Sequence, residues 1–195
     1  MRLPAIERRR QLLDVAQDLF ADRGFHATAM DDIAAVAGVT KPVLYQHFAS
    51  KRALFCELLD DVGEQLLFQL NQATAPAPTG RARVEDGFAA YFRFVTHNPA
   101  AFRLLFGAAV RNDAEFAQRA DATLEAAARV IATMIDLPVD DAHRLVLAHA
   151  IVGMAEATSR RSIAGDDPDI HQDSETLAAW LAEFAWFGLR GVRSE

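Results

Sequence analysis

The sequence predicts an all-α protein of about nine helices. Apolar residues recur at helical spacing along most of the chain, and no segment alternates apolar and polar residues as a half-buried strand does. The composition agrees, because 51% of the 195 residues are hydrophobic and 24% are charged, as in a well-packed globular protein. The single cysteine, Cys56, excludes an internal disulfide and fits a reducing compartment, so we expect a cytoplasmic protein.

The first helix is predicted from an apolar stripe. Leu12, Ala16 and Leu19 share one face, whereas Arg9 is expected to face water. Gly24 is predicted to end the helix, because glycine adopts backbone conformations that other residues avoid.

Two short helices are predicted next, separated by a turn at Gly38. Thr28 and Asp31 have the Thr-x-x-Asp spacing that can satisfy free amides at the start of the second helix. Thr40 can cap the third helix, and Pro42 is tolerated in its first turn because early amides have no partner within the helix.

Longer helices are predicted for the rest of the chain. Ser50 can cap a fourth helix that runs to about Gln72, and the prolines and glycine of residues 74–80 break it. Further helices are expected at about residues 81–96, 99–107, 113–135, 141–164 and 174–189, with a polar loop at 165–169 before the last one.

The net charge of −7 is unevenly distributed. Residues 1–52 hold eight Lys and Arg against six Asp and Glu, giving +2, whereas residues 53–195 hold twelve against twenty-one, giving −9. This division predicts a head, residues 1–52, that can approach a polyanion, and a body, residues 53–195, that phosphates repel.

The sequence lacks the short motifs of common enzymes and metal sites. It contains no GxGxxG, GxxxxGK[ST], GxSxG or HExxH, and no two histidines are spaced i, i+4. We therefore expect no catalytic activity, no cofactor and no metal. No apolar stretch reaches the roughly 18 residues that a membrane span needs, so no membrane segment is expected.

The second and third helices have the proportions of a helix-turn-helix motif at about residues 30–49. Leu44 and Phe48 are four residues apart and point inward, which turns the other side chains of the third helix outward. A generic helical hairpin is the alternative interpretation.

The outward side chains of the third helix suit contact with DNA. Lys41 can donate to a phosphate or a guanine edge, Gln46 can donate and accept at a base, and Val43 can pack on a thymine methyl. Tyr45 and His47 can hold phosphate oxygens. The candidate DNA-binding residues are Thr40, Lys41, Val43, Tyr45, Gln46, His47 and Lys51.

Four motifs lie at fixed spacing in residues 9–54. They are LF-x-x-x-GF, TAMDDIA at residues 28–34, the turn AGVTK and the run LYQHF-x-SK. Together they resemble the DNA-binding domain of the TetR family of bacterial transcriptional regulators. The resemblance implies that residues 30–37 form the supporting helix and residues 41–48 the recognition helix.

The resemblance also implies roles for single residues. It makes Tyr45, His47 and Lys51 phosphate clamps, and it places Thr40, Lys41 and Val43 where the family contacts bases or backbone. Asp31 and Asp32 would repel phosphate, so we expect both of them to serve the start of the second helix instead.

The body carries more large apolar side chains than one core easily hides. The helix from Asp141 is apolar nearly all round, so it should be buried on more than one side, and the last helix carries aromatic side chains on one broad face. Similar proteins dimerise through their last two helices, which predicts a homodimer. The alternative is that the aromatics close a monomeric core. The candidate interface residues are Ile151, Trp180, Phe184 and Phe187.

A ligand site is predicted in the body, because six aromatic residues lie within residues 88–106, where similar proteins line an inducer cavity. Such walls favour an apolar or aromatic small molecule. The candidate ligand-binding residues are Phe68, Phe88, Tyr91, Phe102, Phe106, His149 and Met154.

The expected function is that of a homodimeric repressor released from a palindromic, double-stranded DNA operator by a small-molecule effector. Two alternatives remain open. One is an effector-independent DNA-binding module, and the other is a helical small-molecule binding protein or enzyme with a vestigial DNA-binding head.

Overall fold

The computed structural model describes residues 3–164 and 173–192, and in these ranges the chain forms ten α-helices and no strand. The prediction of an all-α fold is confirmed. The helices are α1 (Ala5–Ala27), α2 (Met30–Val36), α3 (Lys41–His47), α4 (Lys51–Thr74), α5 (Gly80–His97), α6 (Pro99–Phe106), α7 (Ala108–Arg111), α8 (Ala114–Met134), α9 (Asp141–Ala164) and α10 (Ser174–Gly191).

The tenth helix is the single turn α7, in a stretch where the sequence predicted a break. The predicted polar loop at residues 165–169 lies outside the described residues. Among the helices that are described, none combines the length and the apolar character needed to cross a membrane.

Side-chain caps explain where several helices begin. Ser50, Thr79 and Asp173 each accept a hydrogen bond from the amide three residues further on, at 2.8–3.1 Å. The predicted Ser50 cap of α4 is thus confirmed. Thr40 occupies the cap position of α3, but its side chain makes no capping hydrogen bond.

The predicted cap formed by Thr28 and Asp31 is wrong. Gly24 interrupts α1 with φ +80°, which confirms the predicted helix end, and the buried Thr28 hydroxyl donates to the Gly24 carbonyl at 2.9 Å. Thr28 therefore closes α1. The carboxylate of Asp32 accepts from the Ala29 amide at 2.9 Å, so Asp32 supports the start of α2.

The chain divides into two compact units. Unit 1 comprises Met1–Gly63 and Ala100–Ala120, and unit 2 comprises Glu64–Pro99 and Asp121–Glu195. Unit 1 therefore holds α1 to α3, the first part of α4, most of α6, α7 and the start of α8. Unit 2 holds the rest of α4 and α8 together with α5, α9 and α10.

Unit 1 has a core of four phenylalanines. Phe20 and Phe25 of α1 meet Phe55 of α4 and Phe116 of α8, with contacting ring centroids 4.6–5.1 Å apart. Aromatic pairs of this kind contribute about 0.5–1.5 kcal/mol each beyond their buried area. This core fixes the platform on which α2 and α3 pack.

In unit 2, α5 and α10 pack side by side. Gly80, at the start of α5, meets the Trp186 ring of α10 so closely that an added Cβ would lie 3.4 Å from it. Ile135, directly after α8, and Ala148 of α9 belong to a further apolar cluster, against which Leu189 of α10 packs.

Candidate DNA-binding surface and ligand cavity

The helices α2 and α3 form a helix-turn-helix whose turn depends on Gly38. Gly38 has φ +66°, in the left-handed region that favours glycine, and the Val39 amide donates to the Ala34 carbonyl at 2.9 Å. Leu44 is fully buried and Phe48 nearly so, which confirms the inward face predicted for α3.

Six of the seven candidate DNA-binding residues lie together at α3. Thr40, Lys41, Tyr45 and Gln46 are exposed, and the other two, Val43 and His47, are half-buried. Tyr45 is 43% exposed, although an aromatic ring of this size usually finds cover in a folded protein. The arrangement presents cationic, amide and aromatic groups on one surface.

An ion pair joins the two helices of the motif. The Lys41 ammonium lies 2.9 Å from the Asp31 carboxylate, and the hydrogen bond between them raises the pKa of Lys41. Both side chains are exposed, so the pair is weak and a DNA phosphate can replace Asp31 as the partner of Lys41.

Lys51, the seventh candidate, is held inside unit 1. Its ammonium donates to the carbonyl oxygens of Phe25, His26 and Thr28 at 2.8, 3.4 and 2.9 Å and lies 4.6 Å from the Phe25 ring centroid. All three of its N–H groups have acceptors within the protein, which leaves none for a phosphate in this conformation.

Arg9 is a functional candidate that sequence reasoning missed. It was expected to face water, but its guanidinium donates to the His47 carbonyl at 2.7 Å, pairs with Glu57 at 2.5 Å and lies 4.6 Å from the Phe48 ring centroid. A cation at a helix C-terminus is favourable. Arg9 thus anchors the end of α3, although no local spacing could reveal partners so distant in sequence.

Acidic partners neutralise much of the positive charge of residues 1–52. Besides Arg9 and Lys41, Arg10 pairs with Asp61 at 2.7 Å, and Arg52 pairs with Glu115 at 2.6 Å. The excess of +2 in this segment is therefore not a simple cationic surface, and the positions of single side chains matter more than their count.

Unit 2 contains a cavity of about 610 Å³ formed by α4, α5, α8, α9 and α10. This volume is within the range of small-molecule sites. Most of its lining is aliphatic or aromatic. The apolar lining residues include Leu66, Leu70, Val84, Phe88, Leu124, Ile131, Met134, Ile151, Val152, Trp186 and Leu189.

Two of the seven candidate ligand residues, Phe88 and Tyr91, line this cavity. Phe102 and Phe106 do not, because they belong to unit 1, where both are buried with ring centroids 4.8 Å apart. The aromatic cluster of residues 88–106 is thus divided between the cores of two units. Sequence proximity alone could not reveal that division.

The other three candidates also lie outside the cavity lining. Phe68 of α4 is 63% exposed, and Met154 of α9 is half-buried away from the lining. His149 is exposed and lies 3.1 Å from the Glu125 carboxylate. Phe68 lies on a side of α4, and His149 and Met154 lie on sides of α9, that do not face the cavity.

The cavity lining includes one buried phenol. Burial raises the pKa of Tyr91 to about 12, and the nearby Ser159 hydroxyl offsets part of this effect. Neither hydroxyl makes a hydrogen bond of ordinary geometry. Charged side chains also line the cavity, namely Arg83, Asp136, Glu156 and Arg190.

The candidate interface residues of α10 form an exposed apolar stripe. Trp180, Phe184 and Phe187 are 56%, 68% and 59% exposed and follow i, i+4, i+7 spacing. On α9, which is predicted to be buried on more than one side, Val146 is exposed too. Ile151 instead lines the cavity.

The described residues contain no cluster of three or more His, Cys, Asp or Glu side chains that could hold a metal ion. Cys56 is buried, and burial is the main cause of its raised thiol pKa. A thiol in this state is a poor nucleophile.

Two family models match the chain. Residues 12–58 match bacterial regulatory proteins of the tetR family, and residues 81–188 match the tetracyclin repressor-like C-terminal domain. The chain belongs to the TetR family. This TetR-family protein is therefore a helix-turn-helix transcriptional regulator, which confirms the resemblance seen in residues 9–54.

Three relatives illustrate the similarity. The transcriptional activator FasR of Mycolicibacterium smegmatis is 34% identical over 193 residues, covering 98% of this chain and 87% of FasR. The transcriptional repressor KstR2 of Rhodococcus jostii is 40% identical over 78 residues, or 40% of this chain and 38% of KstR2. A TetR-like regulator from Rhodococcus sp. RHA1 superposes with a TM-score of 0.78 at 29% identity, covering 98% of this chain and all of that one.

Proposed function

We propose that this TetR-family protein is a homodimeric repressor that binds a near-palindromic operator through α3 of each subunit and leaves it when a small apolar molecule occupies the cavity of unit 2. In this proposal residues 1–52 are the DNA-binding head, residues 53–195 bind the effector and the second subunit, and neither part catalyses a reaction. The main support for this proposal is the exposed cluster of Lys41, Tyr45 and Gln46 on α3.

The roles on DNA follow from the chemistry of the α3 side chains. Gln46 has both a donor and an acceptor, so it would read a base edge, and Val43 would pack on a thymine methyl. Tyr45, His47 and Thr40 would hold phosphate oxygens. Lys41 would exchange Asp31 for a phosphate or a guanine edge.

The dimer would form through the apolar stripe of α10 and the exposed side of α9. Trp180, Phe184 and Phe187 are too large and too exposed to be left in water without cost, and a second copy of the stripe would cover them. Twofold symmetry would then place the two α3 helices about 34–36 Å apart, one turn of DNA.

Two helices could carry a signal from the cavity to the head. The α4 helix contributes Leu66 and Leu70 to the cavity lining and Phe55 to the core of unit 1, and α8 contributes Leu124 and Phe116 in the same way. A ligand that favours one arrangement of these helices would weaken operator binding about 5- to 150-fold, for a coupling of about 1–3 kcal/mol.

The test is selection of bound fragments from random and genomic DNA by the purified full chain at two salt concentrations. Enrichment of an inverted repeat supports the proposal. Sequence-blind binding no tighter than about 10⁻⁴ to 10⁻⁶ M at physiological salt contradicts it and favours a vestigial head. The protein would meet its operator in the cytoplasm, where bacterial DNA lies.

Activation is the second candidate, because FasR, a relative that matches this chain over nearly its full length, is named an activator. A reporter gene placed behind the selected operator separates the two signs of regulation. Expression that rises when the regulator gene is deleted indicates a repressor, and expression that falls indicates an activator.

A further inference from the structure

Two arginines in the cavity lining have no acidic partner. Neither Arg83 of α5 nor Arg190 of α10 forms an ion pair within the described parts of the chain, and the Arg190 guanidinium lies 5.8 Å from the Trp186 ring centroid. Residues 53–195 hold twenty-one Asp and Glu against twelve Lys and Arg, so acidic groups are plentiful in this segment. Two guanidinium groups without an acidic partner on one cavity therefore indicate a place where a bound anion could interact.

Both arginines lie within about one helical turn of the contact between Gly80 and Trp186. Gly80 contacts the Trp186 ring, which places the start of α5 beside the end of α10. Arg83 is one helical turn from Gly80, and Arg190 is one turn from Trp186. Both side chains belong to the cavity lining, so a molecule in the cavity can meet both of them.

The acidic residues of the lining do not neutralise this pair. Glu156 already forms an ion pair with Arg160. Asp136 is exposed and makes no ion pair with either lining arginine. The guanidinium groups thus remain available to a bound molecule.

The cavity lining also includes one residue with a buried polar group. Tyr91 lines the cavity, and its hydroxyl is buried beside that of Ser159 without a hydrogen bond of ordinary geometry, although buried polar groups almost always have one. Tyr91 is two turns along α5 from Arg83, about 12 Å by the rise of a helix. Gly87 lies between them on α5 and also belongs to the lining.

We propose that the cavity takes an elongated apolar molecule that ends in an oxyanion, which Arg83 and Arg190 bind together. The guanidinium fork matches a carboxylate or a phosphate with paired hydrogen bonds, and the Trp186 ring keeps Arg190 oriented. Burying an oxyanion in an apolar cavity costs free energy unless cations compensate its charge. The two arginines would therefore favour ligands that carry an oxyanion. The inference rests on the proposed role of this cavity as the effector site.

Calorimetric titration of the full chain with saturated carboxylates, from octanoate to hexadecanoate, tests the proposal against alcohols of equal chain length. We expect the best carboxylate to bind about tenfold or more tightly than its alcohol, the effect of losing a hydrogen bond to a charged group. Alkyl phosphates of the same length show which oxyanion the arginines prefer.

Two variants and one control identify the groups responsible. Arg83→Gln and Arg190→Gln should each reduce carboxylate affinity about tenfold and leave alcohol binding unchanged, which also shows that each variant is folded. Arg93→Gln removes an exposed arginine of the same helix that does not line the cavity, and it should bind like the wild type. A preference for carboxylate that survives in both arginine variants overturns the proposal.

The outcomes also separate this inference from the proposed function. If alcohols bind as tightly as carboxylates and release the operator, the effector role stands and the oxyanion site is wrong. If carboxylates bind through both arginines but leave operator affinity unchanged, the oxyanion site stands and release by ligand is wrong. If neither the carboxylates nor the alkyl phosphates bind, the oxyanion proposal is refuted.

Discussion

Replacing Lys51 by alanine should destabilise unit 1 rather than remove a phosphate contact. The Lys51 ammonium closes the end of α1 by donating to the carbonyl oxygens of Phe25 and Thr28 at 2.8 and 2.9 Å, with a longer contact to His26. These carbonyls stand where α1 ends and the chain turns toward α2, and such carbonyls lack amide partners within a helix.

The expected loss follows from these contacts. A hydrogen bond to a charged group contributes about 1.5–3 kcal/mol, and water partly replaces the ammonium because Lys51 is half-buried. We therefore expect Lys51→Ala to lower the free energy of unfolding by about 2–3 kcal/mol. For a chain of this length, that loss lowers Tm by roughly 4–12 °C.

Lys41 provides the matched control, since it is the only other lysine in the chain. Its single partner is exposed, so Lys41→Ala should leave Tm within experimental error. The salt dependence of operator binding should show the reverse pattern, with an effect for Lys41→Ala and none for Lys51→Ala. Its slope should fall by about two for Lys41→Ala, one phosphate contact for each subunit of a dimer, and stay unchanged for Lys51→Ala.

The assays are thermal unfolding followed by circular dichroism and operator affinity measured across a range of salt concentrations. A Lys51→Ala protein with wild-type Tm and a smaller salt slope would refute this reasoning. It would show that Lys51 leaves its three carbonyls and binds a phosphate, as the family resemblance implies.

Three further substitutions test other contacts. Asp31→Asn should raise operator affinity about two- to fivefold, because Lys41 loses a competing partner and a charge that repels phosphate disappears; a drop in affinity would mean that the pair orients Lys41 for DNA. Trp180→Arg should give monomers by light scattering, whereas Phe68→Arg, an equally exposed aromatic on α4, should stay dimeric; dimers from both variants would place the interface elsewhere. Arg9→Gln should lower Tm by roughly 2–8 °C and weaken binding to all operator sequences in parallel; an unchanged Tm would show that the α3 end needs no anchor.

The periodicity of apolar residues is sufficient to predict the all-α fold and the side of α3 that faces inward. Leu44 and Phe48 point inward at i, i+4 spacing, as one apolar face requires, and Gly24 and Gly38 adopt the positive φ values that justify a glycine at each break. These features depend on a few neighbouring residues, which is why a single sequence reveals them.

Long-range contacts explain what the sequence could not predict. Lys51 looks like a free cation after a recognition helix, but carbonyls from the end of α1, more than twenty residues away, hold it in place. Phe102 and Phe106 look like cavity residues because they follow Phe88 closely, yet they pack in another unit. In both cases the tertiary partner, rather than the residue type, decides the role.

The most direct measurement is fragment selection repeated with Gln46→Ala, because Gln46 is an exposed side chain of α3 equipped to read a base edge. Gln118→Ala, an exposed glutamine of α8, serves as the control. We predict that Gln46→Ala recovers the same inverted repeat with preference lost at one position in each half-site, at a cost of about 1–3 kcal/mol for the preferred base. An unchanged base preference at every position would contradict the claim that the outer face of α3 reads the operator.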